Sequence, residues 1–460
     1  MVEVRPHPSP FVWSKRPTVL ARNFSHGSVS NAKPLGNDQP LAAEGDIMQH
    51  HNGRPLGAGE RFFYLADQWV PKHFVLAAEI QGVTTIKQWR SALDQLQSRH
   101  PLMRTRIVRD DNGDVRFEEG ACAKIPLHVV DRRDERNWEQ HVADELAVPF
   151  SFVNAPLVRA RLLRQPEGTT TVVLVFHHSI ADGLAGIYAL GDLLKALAGG
   201  ELEPLPLLPS QEKLLKPLVE IPREAAASAL PSWPSRSVVN TAIHRISVQS
   251  KKLPGILTES LRARSRAEGT TLHGTLVAAL TLAGSELSEQ WKRTPPRVMS
   301  PVNLRPMLQI NDECMLSIIF PIGTYPIEGV EGFWSVARQA VRDLEPAKIP
   351  HVVEQVFKAV ADLTAPPAEP AQVGGFIESV IAAHMMVSNL GAVPFPAERN
   401  QLRVTAVWGP ATLIGTEGEQ IIGVATLNNE LHLVQSSYTP IIGLLDRTAD
   451  ILNIMSQPVC

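Results

Sequence analysis

The sequence of 460 residues has few cysteines, no large excess of charge of either sign and no long apolar run. The three cysteines, Cys122, Cys314 and Cys460, are far apart and lack a C-x-x-C spacing, which argues against a disulfide framework and against a zinc site. Lys and Arg number 44 against 47 for Asp and Glu, so nucleic acid is not an expected partner. The longest apolar stretch, residues 276–283, is far shorter than the ~20 residues that cross a bilayer, and we expect no transmembrane segment.

The overall composition is that of an ordinary folded protein. Apolar residues make up 44% and charged residues 20%, which is close to globular averages. A chain of 460 residues is longer than one core usually supports, so its length favours two lobes. The cysteine usage fits a reducing compartment, and we expect a cytoplasmic location.

The first 45 residues carry scattered Arg, Ser and Pro but lack an apolar h-region and a small-residue cleavage pattern. We therefore interpret residues 1–45 as a loose leader. A transit peptide is the alternative, although no Arg-rich amphipathic helix is visible. The pair His50 and His51, beside this leader, is interpreted as solvated rather than as a metal site.

Residues 46–200 are predicted to form an N-terminal lobe of mixed strands and helices. Thr84 and Thr85 can cap a helix over residues 86–96, which Pro101 ends. Residues 103–108 and 115–117 flank an Asp-Asn-Gly turn signal and predict a hairpin. Apolar spacing predicts further strands over 127–130, 157–163 and 172–176 and helices over 134–146 and 184–197.

Residues 201–238 are rich in Pro and predict a linker to a C-terminal lobe, residues 239–460. That lobe is predicted to begin with a helix from Pro254 to residue 267 and a second helix, capped by Thr271, through residue 282. Strands are predicted over 298–303, 316–321, 385–388, 402–407, 420–426 and 431–436, and helices over 333–344 and 352–363. Because strict βαβα alternation is missing, two α+β lobes fit better than one Rossmann sheet.

The heptad His177-His178-Ser179-Ile180-Ala181-Asp182-Gly183 follows directly on the apolar run 172–176, which is typical of a strand covered on both faces. It places ionisable groups where regular backbone ends. Histidine, with an ordinary pKa of ~6.5, is suited to accept a proton near neutral pH. Asp182 can orient an imidazole or fix the loop by an ion pair, and Gly183 permits close backbone approach. The simple alternative is two packed histidines in a strand-to-helix turn.

The heptad resembles the H-H-x-x-x-D-G signature of the superfamily that contains chloramphenicol acetyltransferase, the condensation domains of nonribosomal peptide synthetases and the polyketide-associated acyltransferases. Its four fixed positions are matched by His177, His178, Asp182 and Gly183. Segments outside the heptad, two before it and two after it, add to the resemblance. Residues 99–105 and 155–160 look like condensation-domain segments, and 301–306 and 387–391 look like motifs of the polyketide-associated and alcohol acyltransferase branches.

The resemblance spans about residue 55 to the C terminus and implies an α/β (α+β), two-lobed chloramphenicol-acetyltransferase-like fold with an active-site tunnel between the lobes. It implies that His178 is the general base and that Asp182 is structural, pairing with an arginine of the other lobe. Arg305 is the matching candidate, with a solvated arginine as the alternative. The Asp-Phe-Gly-Trp-Gly motif of the plant branch is missing, which makes plant-type substrates an unexpected choice.

Ser388 and Asn389 are candidate donors to a tetrahedral oxyanion or candidate substrate contacts, and the alternative is that they merely end a strand. We expect no metal site, because His178 and Asp182 lack a third ligand at suitable spacing. The sequence also has no G-x-S-x-G elbow, Walker loop or dinucleotide fingerprint, which leaves serine hydrolases, NTPases and dehydrogenases without support.

We therefore expect an acyltransferase that forms an ester with a natural-product or lipid-like hydroxyl, an amine being the less favoured acceptor. The donor is expected to be acyl-CoA or the phosphopantetheine thioester of an acyl carrier protein, used as a co-substrate with no permanently bound cofactor. An amide-forming nonribosomal-peptide condensation enzyme is one alternative, and a non-catalytic module that docks carrier proteins is another. We expect the chain to be a monomer.

Overall fold

A computed structural model describes residues 53–120, 123–130, 134–154, 156–164, 168–215, 235–241, 243–326, 329–381 and 383–457. The predictions for the leader 1–45, for His50 and His51, and for Cys122 and Cys460 fall outside these residues. Within the described ranges, no helix combines the length and the apolar character needed to span a bilayer.

The first half of the chain forms five helices and seven strands among the described residues. Thr85 caps the second helix by accepting a hydrogen bond from the amide of Gln88, as its sequence predicts. Asn137 caps the third helix, which therefore begins later than residue 134. The helices are α1 (Ala58–Asp67), α2 (Ile86–Arg99), α3 (Trp138–Ala147), α4 (Gly183–Leu197) and α5 (Gln211–Leu214). The strands are β1 (Gly53–Pro55), β2 (His73–Gln81), β3 (Thr105–Arg109), β4 (Val115–Glu119), β5 (Leu127–Val129), β6 (Val158–Arg164) and β7 (Thr169–His177).

The second half adds eight helices and ten strands among the described residues. Its helices are α6 (Gly255–Ala267), α7 (Leu272–Leu287), α8 (Glu289–Arg293), α9 (Arg305–Leu308), α10 (Phe333–Arg342), α11 (Pro350–Leu363), α12 (Pro370–Phe376) and α13 (Leu444–Met455). Its strands are β8 (Ser247–Leu253), β9 (Arg297–Met299), β10 (Val302–Asn303), β11 (Ile318–Ile319), β12 (Ile322–Thr324), β13 (Met385–Ala392), β14 (Glu398–Arg399), β15 (Leu402–Ala411), β16 (Gln420–Leu427) and β17 (Glu430–Ser437). A π-turn over Ile377–Ile381 continues α12.

Two six-stranded sheets form the framework of the described chain. The first has the strand order β14-β15-β2-β7-β6-β5, and the second has the order β12-β9-β13-β16-β17-β8. Val173 and Phe176 of β7, which point to opposite faces, are both fully buried, as the unbroken apolar run predicts. This mixed architecture agrees with the expected α+β class and its two sheet-rich lobes.

The first sheet takes strands from both halves of the chain. β15 pairs with β2 in antiparallel register, with Val407 opposite Ala78 and Trp408 opposite Ala77. The division of the chain at residues 201–238 stays a prediction. β15 comes from the second side of that division and lies in the first sheet beside β2.

The two sheets meet where β15 passes β16. A Cβ atom on Gly423 of β16 would lie 2.2 Å from the carbonyl oxygen of Pro410, so only glycine allows this approach. The sheets are consequently held close together beside the end of β7, where the heptad begins.

Candidate active site

The heptad begins at the point where β7 leaves its sheet. His177 is the last residue of β7 and lies opposite His73 of β2. The amide of His178 donates a hydrogen bond of 3.0 Å to the carbonyl oxygen of Lys72, so the backbone is fixed one residue beyond the strand. Asp182 then caps α4 by accepting a hydrogen bond of 2.8 Å from the amide of Ala185.

The imidazole of His178 is held in one orientation and one tautomer. Its Nδ1 lies 3.2 Å from the carbonyl oxygen of Ala181, and because a carbonyl only accepts, Nδ1 carries the proton. The ring stacks on Phe63 with the centroids 4.6 Å apart, and Phe74 lies 4.8 Å away on a tilted plane. Nε2 makes no hydrogen bond to any described residue and offers its lone pair to the neighbouring cavities.

This environment keeps His178 neutral. Burial lowers its pKa to about 3, with the positive potential of nearby groups such as His177 acting in the same direction. The hydrogen bond to Ala181 acts against this shift but does not outweigh it. The ring is therefore an unprotonated base throughout the physiological pH range.

His177 points away from this cavity into the protein interior. Its Nδ1 accepts a hydrogen bond of 3.1 Å from the amide of Ser179, so Nε2 carries the proton and faces Asp67 Oδ1 at 3.3 Å. Burial alone would raise the pKa of Asp67, but the contacts with His177 and with the amide of Lys72 hold it below its ordinary value. The arrangement links β7 to the end of α1 through fully enclosed side chains.

Asp182 and Arg305 form the ion pair that the sequence predicts. The Nη1 atom of Arg305 donates hydrogen bonds of 3.0 and 2.8 Å to the two carboxylate oxygens of Asp182. Both side chains are almost completely enclosed, at 3% and 0% exposure, so the solvated alternative for Arg305 is wrong. The pair joins the N-terminal end of α4 to α9 of the second half.

The remaining contacts of this pair extend the connection. Asp182 Oδ2 also accepts a hydrogen bond of 2.8 Å from the amide of Ser317. Arg305 Nη2 donates to the carbonyl oxygens of Glu313 and Met315 at 3.3 and 3.2 Å. None of the hydrogen bonds of Asp182 among the described residues reaches His178, so the carbonyl of Ala181, and not this carboxylate, orients the imidazole.

Three neighbouring cavities open around His178. We call them the central cavity, about 60 Å³, the polar cavity, about 90 Å³, and the apolar cavity, about 220 Å³. His178 lines the central and polar cavities, and Phe320 lines all three. The ring of His178 thus stands between two spaces from which two reactants can approach it.

The polar cavity contains the other predicted site residues. Gly183, Ser388 and Asn389 all line it, and so does Asp182. A Cβ atom on Gly183 would lie 2.8 Å from Leu390 Cδ2, so a side chain at this position would displace Leu390. Asn389 Oδ1 accepts a hydrogen bond of 3.0 Å from the amide of Gly391, and this leaves its NH₂ group as the donor available to a ligand.

Several residues at this site were not predicted from the sequence. Phe63 and Lys72 line the central cavity, and both come from a segment to which the sequence analysis assigned no element. Lys72 Nζ donates a hydrogen bond of 2.7 Å to the carbonyl oxygen of Ile414. Burial lowers the pKa of Lys72 to about 8, against the opposing effect of the buried Glu419 carboxylate. The continuous apolar run from Phe74 to Ala78 is the signal that could have identified β2.

No group of three or more His, Cys, Asp or Glu side chains suitable for a metal ion occurs in the part of the chain that the structure describes. Cys314 is a free, buried thiol, and burial raises its pKa far above the ordinary value.

Comparison with known proteins gives an independent account of the same region. Residues 71–211 match the condensation domain family, and this range includes the whole heptad. The chain is 28% identical over 256 residues to a linear gramicidin synthase and 26% identical over 201 residues to tyrocidine synthase 3, both of Brevibacillus parabrevis. These alignments cover 49% and 42% of this chain but only 3% of each synthase, so the chain spans a small part of the curated relatives it matches.

Solved structures share the fold over most of the chain. Polyketide synthase associated protein 5 of Mycobacterium tuberculosis matches with a TM-score of 0.60 at 16% identity, covering 88% of this chain and 98% of that one. The first condensation domain of the CDA synthetase matches with a TM-score of 0.62 at 14% identity, covering 88% and 96%. The described fold is thus the expected chloramphenicol-acetyltransferase-like fold. The chain is therefore similar to condensation domains over residues 71–211 and shares the fold of these solved structures over 88% of its length.

Proposed function

We propose that this chain transfers an acyl group from a CoA or carrier-protein thioester to a hydroxyl group and so forms an ester. One observation carries the proposal: His178 Nδ1 donates to the carbonyl oxygen of Ala181, which leaves the Nε2 lone pair facing the cavities. A base in this state needs no proton to be removed before it acts, because its pKa lies far below neutrality.

In the proposed reaction, His178 Nε2 takes the proton of the acceptor hydroxyl as its oxygen attacks the thioester carbonyl carbon. A C–O bond forms while the carbonyl oxygen becomes an oxyanion, for which the Asn389 NH₂ group and the Ser388 hydroxyl are the nearby donors. When the oxyanion collapses, the C–S bond breaks and the thiolate takes the proton from the imidazolium. The balance is one ester and one thiol, and His178 returns to its neutral state.

Burial of the His178 ring makes a positive charge on it costly until the oxyanion develops beside it. The protonated ring is then stabilised only when the negative charge is present. We infer that this coupling favours the transition state over the resting enzyme.

A second candidate is amide formation between two carrier-bound substrates, because the sequence relatives include nonribosomal peptide synthetases. Ester formation is preferred here on the second-half motifs, residues 301–306 and 387–391, which resemble the O-acyltransferase branches. Asn303, Ser388 and Asn389 of these motifs line the polar cavity beside His178, where they are placed to meet the acceptor or the thioester.

The proposal is tested by incubating the purified chain with matched acceptors, 1-octanol and octylamine, together with acetyl-CoA or octanoyl-CoA, and by identifying the products by mass spectrometry. We expect octyl esters and released CoA, and roughly 10²–10⁴-fold slower product formation with His178→Ala. Amides formed in place of esters would establish the second candidate. A chain that binds acyl carrier protein but forms neither product with any donor would be a docking module, and the proposal would be wrong.

A further inference from the structure

The apolar cavity is the largest of the three and lies away from the polar motifs. Its walls come from α1, the segment 316–322, α11, and α12 with its π-turn. The lining residues are Gly59, Phe62, Phe63, Gln211, Glu212, Leu316, Ile318, Ile319, Phe320, Ile322, Val356, Phe357, Val360, Phe376, Val380 and Ile381. All of these except Gln211 and Glu212 are apolar.

Each of the two polar side chains of the lining accepts one hydrogen bond from a backbone amide, while Glu212 Oε2 is buried without a hydrogen-bond partner among the described residues. Glu212 accepts a hydrogen bond of 2.7 Å from the amide of Gly59, and Gln211 accepts one of 3.0 Å from the amide of Ile318. Their contacts tie α5 to the cavity wall. A cavity with this lining favours a ligand made of methylene groups over a polar one.

The sequence of α11 explains why an apolar surface of this kind forms here. Val353, Val356, Phe357 and Val360 recur at the spacing of one helix face. Val353 and Phe357 are buried, while Val356 and Val360 are only partly buried and border the cavity. The apolar face of this helix is therefore larger than the surface that its protein neighbours cover.

The apolar cavity adjoins the central cavity, which His178 lines. Phe62, Phe63, Phe320 and Ile381 line both the apolar and the central cavity. Phe63 also stacks on the imidazole at 4.6 Å. The side chains shared by the two cavities are thus all apolar, so no polar group separates the apolar cavity from the site at His178.

We propose that the apolar cavity binds a long, unbranched alkyl chain of one substrate, eight carbons or more, with the reacting end at His178. This inference rests on the proposed acyl transfer and names its substrate class. The alkyl chain belongs either to the acyl group or to the acceptor alcohol, and both present the same methylene surface to the cavity.

Two substrate series separate these sources. In the first, acyl-CoA donors from acetyl to dodecanoyl react with butanol; in the second, alcohols from butanol to dodecanol react with acetyl-CoA. We expect kcat/KM to rise in one series by up to about fourfold for each methylene that enters the cavity, the effect of burying one methylene group. The other series is expected to stay flat.

A substitution on α11 tests the location. Val360→Phe is expected to fill part of the cavity. The value of kcat/KM for the longest substrate divided by that for the shortest should then fall at least tenfold. Val352→Phe is the matched control, because Val352 is on the same helix and does not line the cavity. If Val360→Phe does not fold, Phe376→Ala provides the opposite test and is expected to shift the preference to longer chains.

A binding measurement tests the alkyl-chain site independently of the proposed reaction. Displacement of 11-(dansylamino)undecanoic acid by dodecanoyl-CoA, with acetyl-CoA as the reference, measures chain binding without turnover. One outcome is that dodecanoyl-CoA displaces the probe preferentially, that Val360→Phe removes this preference, and that the protein has no transferase activity. This outcome would refute the proposed reaction and support the alkyl-chain site. The opposite outcome is that short substrates react, that kcat/KM does not depend on chain length in either series, and that both CoA esters displace the probe equally. This outcome would refute the alkyl-chain site and leave the proposed reaction supported.

Discussion

His177 and His178 are neighbours in sequence and differ in almost every physical respect. His177 is fully enclosed, and both of its ring nitrogens face protein groups, the amide of Ser179 and the carboxylate of Asp67. His178 has one nitrogen fixed by the carbonyl of Ala181 and the other turned to open space. The difference arises because successive residues at the end of a strand point to opposite faces. One residue type therefore supplies a structural connection and a candidate base at consecutive positions.

The largest expected effect that tests this comparison is the loss of the base. His178→Ala is expected to lower kcat by roughly 10²–10⁴, the usual span for removing a general base, because no other described imidazole lines the central or polar cavity. Steady-state kinetics on the best substrate pair measures the loss, and thermal unfolding is expected to show an intact fold. A well-folded variant with near wild-type turnover would rule out the assigned role.

The second expected effect concerns Asp182, which belongs to the same heptad but hydrogen-bonds neither histidine. Because its pair with Arg305 is buried, Asp182→Asn or Arg305→Gln leaves an uncompensated charge and is expected to cost ~3–5 kcal/mol of unfolding free energy. The double variant should cost less than the sum. Denaturant unfolding of all four proteins measures the coupling, and additivity within ~0.5 kcal/mol would mean that the pair contributes no interaction energy.

The third expected effect is the counterpart of the first. His177→Ala leaves the amide of Ser179 and the carboxylate of Asp67 without their buried partner, which is expected to lower the unfolding free energy by ~1–3 kcal/mol. Turnover per folded molecule should fall by less than about tenfold, since His178 keeps its own contacts. If His177→Ala and His178→Ala lowered kcat equally without any loss of stability, the proposed difference in role between the two histidines would be wrong.

The smallest expected effect is in the pH profile. Because the folded pKa of His178, about 3, lies below the unfolded value of 6.5, the neutral ring contributes stability above pH ~6.5 that is lost as the pH falls towards 3. Over the same range the base stays unprotonated, so kcat/KM should be nearly level from pH 7 to pH 5 while the protein is folded.

His178→Ala should then reduce the slope of unfolding free energy against pH by up to ~1.4 kcal/mol per unit between pH 6 and 4, the value for one proton. Unfolding curves at each pH give the slope, with His178→Gln as a second non-titrating variant. An acid limb in kcat/KM centred near pH 6.5 would show that burial does not shift this histidine.

The local signals in the sequence predicted a large part of what surrounds this pair. Contacts between near neighbours in the chain determine the helix caps at Thr85 and Thr271 and the hairpin around Asp110. The apolar run of residues 172–176 likewise predicted β7 from a local pattern. The heptad and the Asp182–Arg305 pair followed from a motif rather than from spacing. The contact itself spans both halves of the chain, and no periodicity in the sequence indicates it.

The rest depends on contacts that join distant segments. β8 was not predicted because Ser247–Leu253 is a half-exposed strand at a sheet edge with little alternation. Phe63 reaches His178 through the packing of α1, for which the sequence analysis made no prediction. The strand predicted over residues 298–303 is interrupted at Ser300 and Pro301, because proline cannot donate to a sheet ladder.

The return of β15 to the first sheet also bears on how such a protein can be recombined. A segment cut after residue 215 would carry the heptad but would expose the edge of β2, whose neighbouring strand comes from residues 402–411. An open, apolar edge of this kind pairs readily with other chains. Exchange of residues 71–211 alone would therefore separate β2 from its neighbouring strand, which lies outside the region that the family match covers.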